Sequence, residues 1–331
     1  MGAPTELGNP NHTPMKNIGR RDFLKTTAAT ALGATLLKWS NPATSVAESL
    51  NKLNMPKRRL GRTGYDASII SLGGQSTIEQ PGNLDEAVTI INRALDLGIN
   101  YIDTAEAYGN GISETYIGEV MKDRRDEVFL TTKTRQRTMH GIEDDRFKKS
   151  CERLQTDYID LYFMHVVNSM DDLNTLLDRN EGAVLAFERL REKGRIGNIG
   201  ISSHSTEVLE EALRRYDFDC IFLTINPAGL RMNQGPKQTR EFLYKVAQKD
   251  VGVIGMKLTA RNEIFEQNIT MEQSMKYALS AGCAGGDTFP ISTAAVGITR
   301  VDQVDENVRL ACAYKPCDEA ELDRLETVAK G

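Results

Sequence analysis

The run Leu84-Asp85-Glu86-Ala87-Val88-Thr89-Ile90-Ile91-Asn92-Arg93-Ala94-Leu95 is closely followed by Asn100-Tyr101-Ile102-Asp103. In the first, apolar residues recur at three- and four-residue spacing, which lines one face of a helix. The second is a short, largely apolar run of the kind a buried strand needs. The alternation repeats on both sides: strand candidates fall at 67–72, 100–103, 128–132, 159–164, 196–201, 220–225, 252–256 and 294–297, with amphipathic helical patterns between them. Eight strand–helix pairs predict an α/β chain folded as a (β/α)8 TIM barrel, one domain over 54–331. A doubly wound sheet uses the same unit but carries G-x-G-x-x-G after its first strand, and Leu72-Gly73-Gly74-Gln75-Ser76 lacks that pattern.

With 331 residues, 40% of them hydrophobic, the chain has ample material for a buried core, which excludes a disordered segment or a disulfide-stapled miniprotein. The net charge of −5 argues against nucleic acid as a partner, since such proteins concentrate Lys and Arg on one face. A small-molecule substrate is the expectation that remains.

Residues 1–47 differ from the rest. Lys16, Arg20 and Arg21 form a basic start, 26–37 is a mildly apolar Ala- and Thr-rich stretch, and Ser45-Val46-Ala47 offers small residues suited to cleavage. The apolar part is too short to span a bilayer comfortably, so no stable membrane span is expected after processing. Gly19-Arg20-Arg21-Asp22-Phe23-Leu24-Lys25 resembles the twin-arginine (Tat) export signal. That resemblance implies the Tat export machinery as a partner and a periplasmic or exported destination for an already folded protein.

The cysteines, Cys151, Cys220, Cys283, Cys312 and Cys317, form no C-x-x-C pair and no metal-ligand spacing with histidine, so no metal is expected. They read as structural, although Cys312 and Cys317 are close enough in sequence for a bridge in an oxidising compartment.

In a barrel, reactive side chains sit just past the carboxyl ends of the strands. Strand two runs into Asp103-Thr104-Ala105-Glu106-Ala107-Tyr108, strand three ends at Lys133 and strand four at His165, so four titratable groups are expected to converge. Their types suit carbonyl reduction. Charge developing on the carbonyl oxygen needs a proton donor, and a phenol with a pKa near 10 is a poor one unless a neighbouring cation lowers it. Lys133 is expected to lower the Tyr108 pKa, Asp103 to hold Lys133 charged, and His165 to hydrogen-bond the carbonyl oxygen.

The segments 100–109, Thr131-Thr132-Lys133, 154–162 with His165, and 193–202 resemble the aldo-keto reductase family over about 57–313. The resemblance makes Asp103, Tyr108, Lys133 and His165 a catalytic tetrad, with Tyr108 as general acid in reduction and general base in oxidation. It implies a nicotinamide dinucleotide whose adenosine phosphate sits on the segment 297–307. There Gly297, Thr299, Gln303 and Asn307 would contact the cofactor, and Arg300 would pair with a 2'-phosphate, favouring NADP(H) with NAD(H) also possible. Ser202, Ser203 and Asn226 fall where the nicotinamide carboxamide is held, Gly74 and Lys257 line the same cleft, and Met256-Lys257 stands where an aromatic stacking partner is common. The implied function is reduction of an aldehyde or ketone, or oxidation of the corresponding alcohol or sugar. A nucleotide-binding regulatory or redox-sensing barrel is the alternative. Substrate specificity is expected to reside in 166–180 and 258–288.

Overall fold

The computed structural model describes residues 53–283 and 289–329, so the leader reading of 1–47 lies outside the described residues. The first described elements are an antiparallel hairpin, β1 (Lys57–Arg59) and β2 (Asp66–Ser68). Eight strands follow: β3 (Ile70–Ser76), β4 (Tyr101–Asp103), β5 (Phe129–Thr134), β6 (Ile159–Met164), β7 (Ile196–Ser203), β8 (Cys220–Thr224), β9 (Gly252–Met256) and β10 (Ile291–Ile298). They pair in parallel and close as β10-β3-β4-β5-β6-β7-β8-β9, the (β/α)8 barrel.

Alternation along each strand builds two cores. Tyr101, Phe129, Leu161, Phe163, Cys220, Phe222 and Ile254 cluster on the barrel axis, and Leu60 and Ala67 of the hairpin region plug the amino-terminal end beneath them. Their chain neighbours Ile102, Leu130, Tyr162, Ile221 and Val253 point outward into the larger core under the helices. The helix Leu84–Asp96 meets that core with Ala87, Ile90, Ile91, Ala94 and Leu95, the face its spacing predicts. A fully enclosed axial side chain such as Phe222 contributes about 1.5–3 kcal/mol of burial free energy. The same alternation carries Asp103 and Lys133 to the inner face at the carboxyl end, above this apolar plug.

One local expectation is corrected. The strand expected at 67–72 is split: Asp66–Ser68 belongs to the hairpin, the chain bends where Ile69 N donates to Pro56 O and Ser68 Oγ donates to Ile70 O, and the barrel strand starts at Ile70. Cys312 and Cys317 are not bridged. Cys312 closes the helix Val301–Cys312, whereas Cys317 lies before the helix Glu319–Val328 with its backbone N–H on Ser280 Oγ. Among the described residues no helix is long and apolar enough to cross a membrane.

Candidate active site

Lys133 is the hub of the carboxyl-end layer. Its Nζ ion-pairs Asp103 Oδ1 at 2.6 Å, donates to the Thr104 carbonyl at 2.7 Å and reaches Tyr108 Oη at 3.3 Å. Beneath it lies the Phe222 ring, whose centroid is 5.1 Å from the ammonium. Thr131 Oγ1 donates to Asp103 Oδ1 at 3.1 Å, so the carboxylate has partners on two sides of a site it shares with almost no water. The His165 ring meets Tyr108 edge-on with centroids 5.8 Å apart. The four groups expected from strand ends two, three and four thus come together.

Local chemistry explains how Tyr108 is presented. Past β4 the chain must turn sharply into the helix Ile112–Arg124, and Gly109, Asn110 and Gly111 all have positive φ, at 55°, 54° and 95°. Glycine and asparagine tolerate that region, and a Cβ on Gly109 would lie 2.2 Å from Glu79 O. On the other flank, Gly74 lets β3 approach closely: an added Cβ would lie 2.6 Å from Ser113 Oγ and 2.7 Å from Asp103 O. Ser113 Oγ donates to Gly74 O and accepts from Thr104 Oγ1, which fixes the segment whose carbonyl receives Lys133.

His165 is followed by Val166 at φ 56°, a conformation a β-branched residue adopts only under constraint. Ser202 Oγ accepts the Val166 N–H at 2.9 Å, and an Arg137 guanidinium N–H binds the Val166 carbonyl at 3.0 Å. Ser202 therefore braces the His165 turn in this structure. The buried His165 Nδ1 makes no hydrogen bond with the described residues.

The electrostatics correct one expectation. The Tyr108 hydroxyl is held well above its ordinary pKa, by burial first and then by Asp103 and Glu79; Arg135 and Arg261 oppose this. The net direction is upward, so the lowering expected from Lys133 does not prevail over burial and the neighbouring carboxylates. Tyr108 is therefore a fully protonated phenol at neutrality. Burial pulls Asp103 up and Lys133 down, and their mutual contact opposes both shifts. Burial, then Lys133 and Arg135, drive His165 well below the ordinary imidazole range, so the ring is neutral.

A cavity of about 830 Å³ opens beside these groups, with Asp103 and Tyr108 at one end and Gln303, Glu306 and Asn307 at the other. Its size falls in the range of small-molecule and cofactor sites. Gly74, Lys257, Gly297 and Thr299 line it as expected, and Met256, Leu258 and Phe265 supply apolar wall where no aromatic follows β9 directly. Four anticipated contacts do not line it. Ser202 braces Val166; Ser203 Oγ donates to Asn168 Oδ1; Asn226 is engaged with Leu230 and the Lys257 carbonyl; Arg300 is exposed and holds both Asp302 carboxylate oxygens, at 3.0 and 2.9 Å. Gln303 Oε1 accepts from Thr299 N and Thr299 Oγ1, tying the loop to the helix start. Burial and nearby cations, Arg261 first, depress Lys257 to about 8. Sequence reasoning missed Glu79, Arg261, Phe265 and Glu306; only Glu306, one turn from Gln303 and beside Asn307, carried a local signal, its helical spacing.

An aldo-keto reductase from Bacillus halodurans, solved in its holo form, superposes with a TM-score of 0.65 at 25% identity over 83% of this chain and 96% of that one. An aldo-keto reductase from Klebsiella pneumoniae in complex with NADPH gives 0.63 at 21% identity, over 83% and 95%, a likeness of fold. An uncharacterized oxidoreductase of Bacillus subtilis is 27% identical over 308 residues, 83% of this chain and 97% of the relative. L-galactose dehydrogenase of Arabidopsis thaliana is 25% identical over 303 residues, 82% and 93%. The profile described as the aldo/keto reductase family matches residues 70–279, and the chain belongs to that family of oxidoreductases.

Proposed function

We propose that this protein is an NADP(H)-dependent oxidoreductase that reduces an aldehyde or ketone, or oxidises the corresponding alcohol or sugar, with Tyr108 as general acid in one direction and general base in the other. One observation carries the reading: Lys133 Nζ stands between Asp103 and Tyr108 Oη at the end of a cofactor-sized cavity.

The cavity fits a dinucleotide. It runs from Tyr108 to the start of the helix Val301–Cys312, where backbone N–H groups favour a phosphate. Gly74, Gly297, Thr299, Gln303 and Asn307 would hold the cofactor, with Lys257 near its phosphates. Contacts from Ser202, Ser203 or Asn226 to a carboxamide must add to the bonds these side chains already make. The Klebsiella pneumoniae relative's NADPH supports the phosphorylated form. When bound, the dinucleotide supplies or accepts the reducing equivalent. Tyr108 gives its proton to the carbonyl oxygen, Lys133 stabilises the phenolate left behind, Asp103 keeps Lys133 charged, and neutral His165 donates a ring N–H to the same oxygen.

Titration of the purified protein with NADPH and then NADH, followed by a panel of aldehydes, ketones and sugars, tests this. NADPH-selective binding with oxidation on carbonyl addition is the expected result. Binding without turnover would favour the sensing barrel instead, and no binding would end the reductase reading. The leader belongs to the same proposal: a folded, cofactor-loaded enzyme exported through the Tat route to the periplasm. Fusing residues 1–47 to a folded reporter should export it, and Arg20→Lys with Arg21→Lys should abolish that export; unchanged export by the lysine pair would remove the Tat reading.

A further inference from the structure

Arg135 is the first residue past β5 and lies two positions beyond Lys133. The alternation that turns Phe129, Thr131 and Lys133 toward the barrel axis continues to it, one layer nearer the mouth. Its backbone is pinned, since Arg135 N donates to Glu106 Oε1 at 3.1 Å and Thr134 Oγ1 donates to the same oxygen at 2.8 Å. Its guanidinium is exposed and has no hydrogen bond or ion pair among the described residues. The neighbouring cations are committed elsewhere: Arg137 to Asp172 and the Val166 carbonyl, Arg146 to Asp145 and Glu106.

The other cations near Tyr108 stand on a different side. Lys257 and Arg261 line the large cavity, together with the carboxylate of Glu79, and would face the phosphates of a dinucleotide there. Arg135 does not line that cavity. It follows β5, next to the β6 end that carries His165, and its charge acts on both Tyr108 and His165. An unpaired guanidinium on the same side of the mouth as those two groups offers a fork for an anion, and its planar N–H donors suit a carboxylate or a phosphate.

We propose that Arg135 recognises the substrate and that the preferred substrate is a carbonyl compound bearing an anionic group, carboxylate or phosphate, a few bonds from the carbonyl carbon. This deepens the reductase reading and rests on it. Charge-assisted recognition of this kind is expected to change kcat/KM about 10- to 100-fold, chiefly through KM.

The test compares charged and neutral partners of similar size, 4-oxobutanoate with butanal and glyceraldehyde 3-phosphate with glyceraldehyde, on the full chain with NADPH. Wild type should prefer at least one charged member, and which one tells carboxylate from phosphate. Arg135→Ala should lose most of that preference with a far smaller loss on the neutral partner, Arg135→Lys should keep part of it, and the preference should shrink as salt rises. Equal losses on charged and neutral substrates would overturn the proposal and leave Arg135 acting only through its field on Tyr108. No loss on either would overturn it as well. Quenching of bound NADPH fluorescence by 4-oxobutanoate and by glyceraldehyde 3-phosphate supplies a readout independent of turnover. If NADPH binds and neither anion perturbs it or is reduced, the anionic site does not exist; if NADPH itself fails to bind, the reductase reading fails and this proposal with it.

Discussion

Lys133 Nζ lies 2.6 Å from Asp103 Oδ1, and the two side chains, on neighbouring strands β5 and β4, are 1% and 4% exposed. A buried pair of this kind contributes little net stability, yet removing one partner strands the other charge. Lys133→Met or Asp103→Asn should each destabilise the fold by about 3–5 kcal/mol. The double substitution should cost clearly less than the sum. Urea unfolding of the four proteins checks this, and strict additivity would mean that the two charges are not coupled.

Tyr108→Phe removes one hydroxyl whose hydrogen bond to Lys133 is long, at 3.3 Å. Stability and NADPH affinity should stay close to wild type, whereas turnover should fall about 10²- to 10⁴-fold, the range of a positioned general acid. Steady-state rates beside a nucleotide titration separate the two; wild-type turnover would remove Tyr108 from the chemistry.

Two pH dependences have opposite origins. Tyr108 is held protonated well above pH 10, by burial first, so alcohol oxidation, which needs the phenolate, should accelerate into the alkaline range while carbonyl reduction stays level through neutrality. His165 is depressed, so the folded state binds fewer protons than the unfolded chain. Its stabilising contribution is present above the unfolded pKa of about 6.5 and is lost as pH falls below it, by up to about 1.4 kcal/mol per pH unit. His204, depressed mainly by burial, adds in the same sense. His165→Gln should flatten the acid limb of a stability–pH curve, and an unchanged slope would contradict a neutral buried ring.

Arg300 is bound at both ends of its fork by Asp302, two residues on, at the start of the helix Val301–Cys312. If it turns to a 2'-phosphate, Asp302 competes for it. Arg300→Ala should then weaken NADPH by about tenfold relative to NADH, and Asp302→Asn should strengthen NADPH selectively. Parallel titrations of both nucleotides read the ratio; equal changes for the two would show that Arg300 does not sense the phosphate.

Gly74→Ala introduces a methyl group 2.6 Å from Ser113 Oγ and 2.7 Å from Asp103 O, the second of which is backbone and cannot step aside cheaply. A cost of about 1–3 kcal/mol is expected, with reduced activity because Asp103 must move. Thermal unfolding and rate together check it, and a neutral substitution would mean that β3 and β4 are less tightly docked than this.

Much of the site was legible because strand parity is a local property. Tyr101, Asp103, Phe129, Thr131 and Lys133 share a face by counting alone, and the expected strand ends fell within a few residues of those found. The boundary at 67–72 was not legible, because an apolar run does not reveal where the chain leaves a hairpin for a barrel. Nor was the engagement of Asn226, whose amide is claimed by Leu230 and by the Lys257 carbonyl on an adjacent strand connection.

By itself, then, the sequence determined the barrel and which four titratable groups meet at its mouth, since both follow from periodicities of a few residues. Only the tertiary structure decided their protonation, the bracing of His165 by Ser202, and that the Arg135 guanidinium has no ion pair among the described residues. Those depend on how much water is excluded and on which charges arrive from distant parts of the chain. Desolvation and long-range pairing belong to the enclosed space that eight strands make together, and no single strand encodes them.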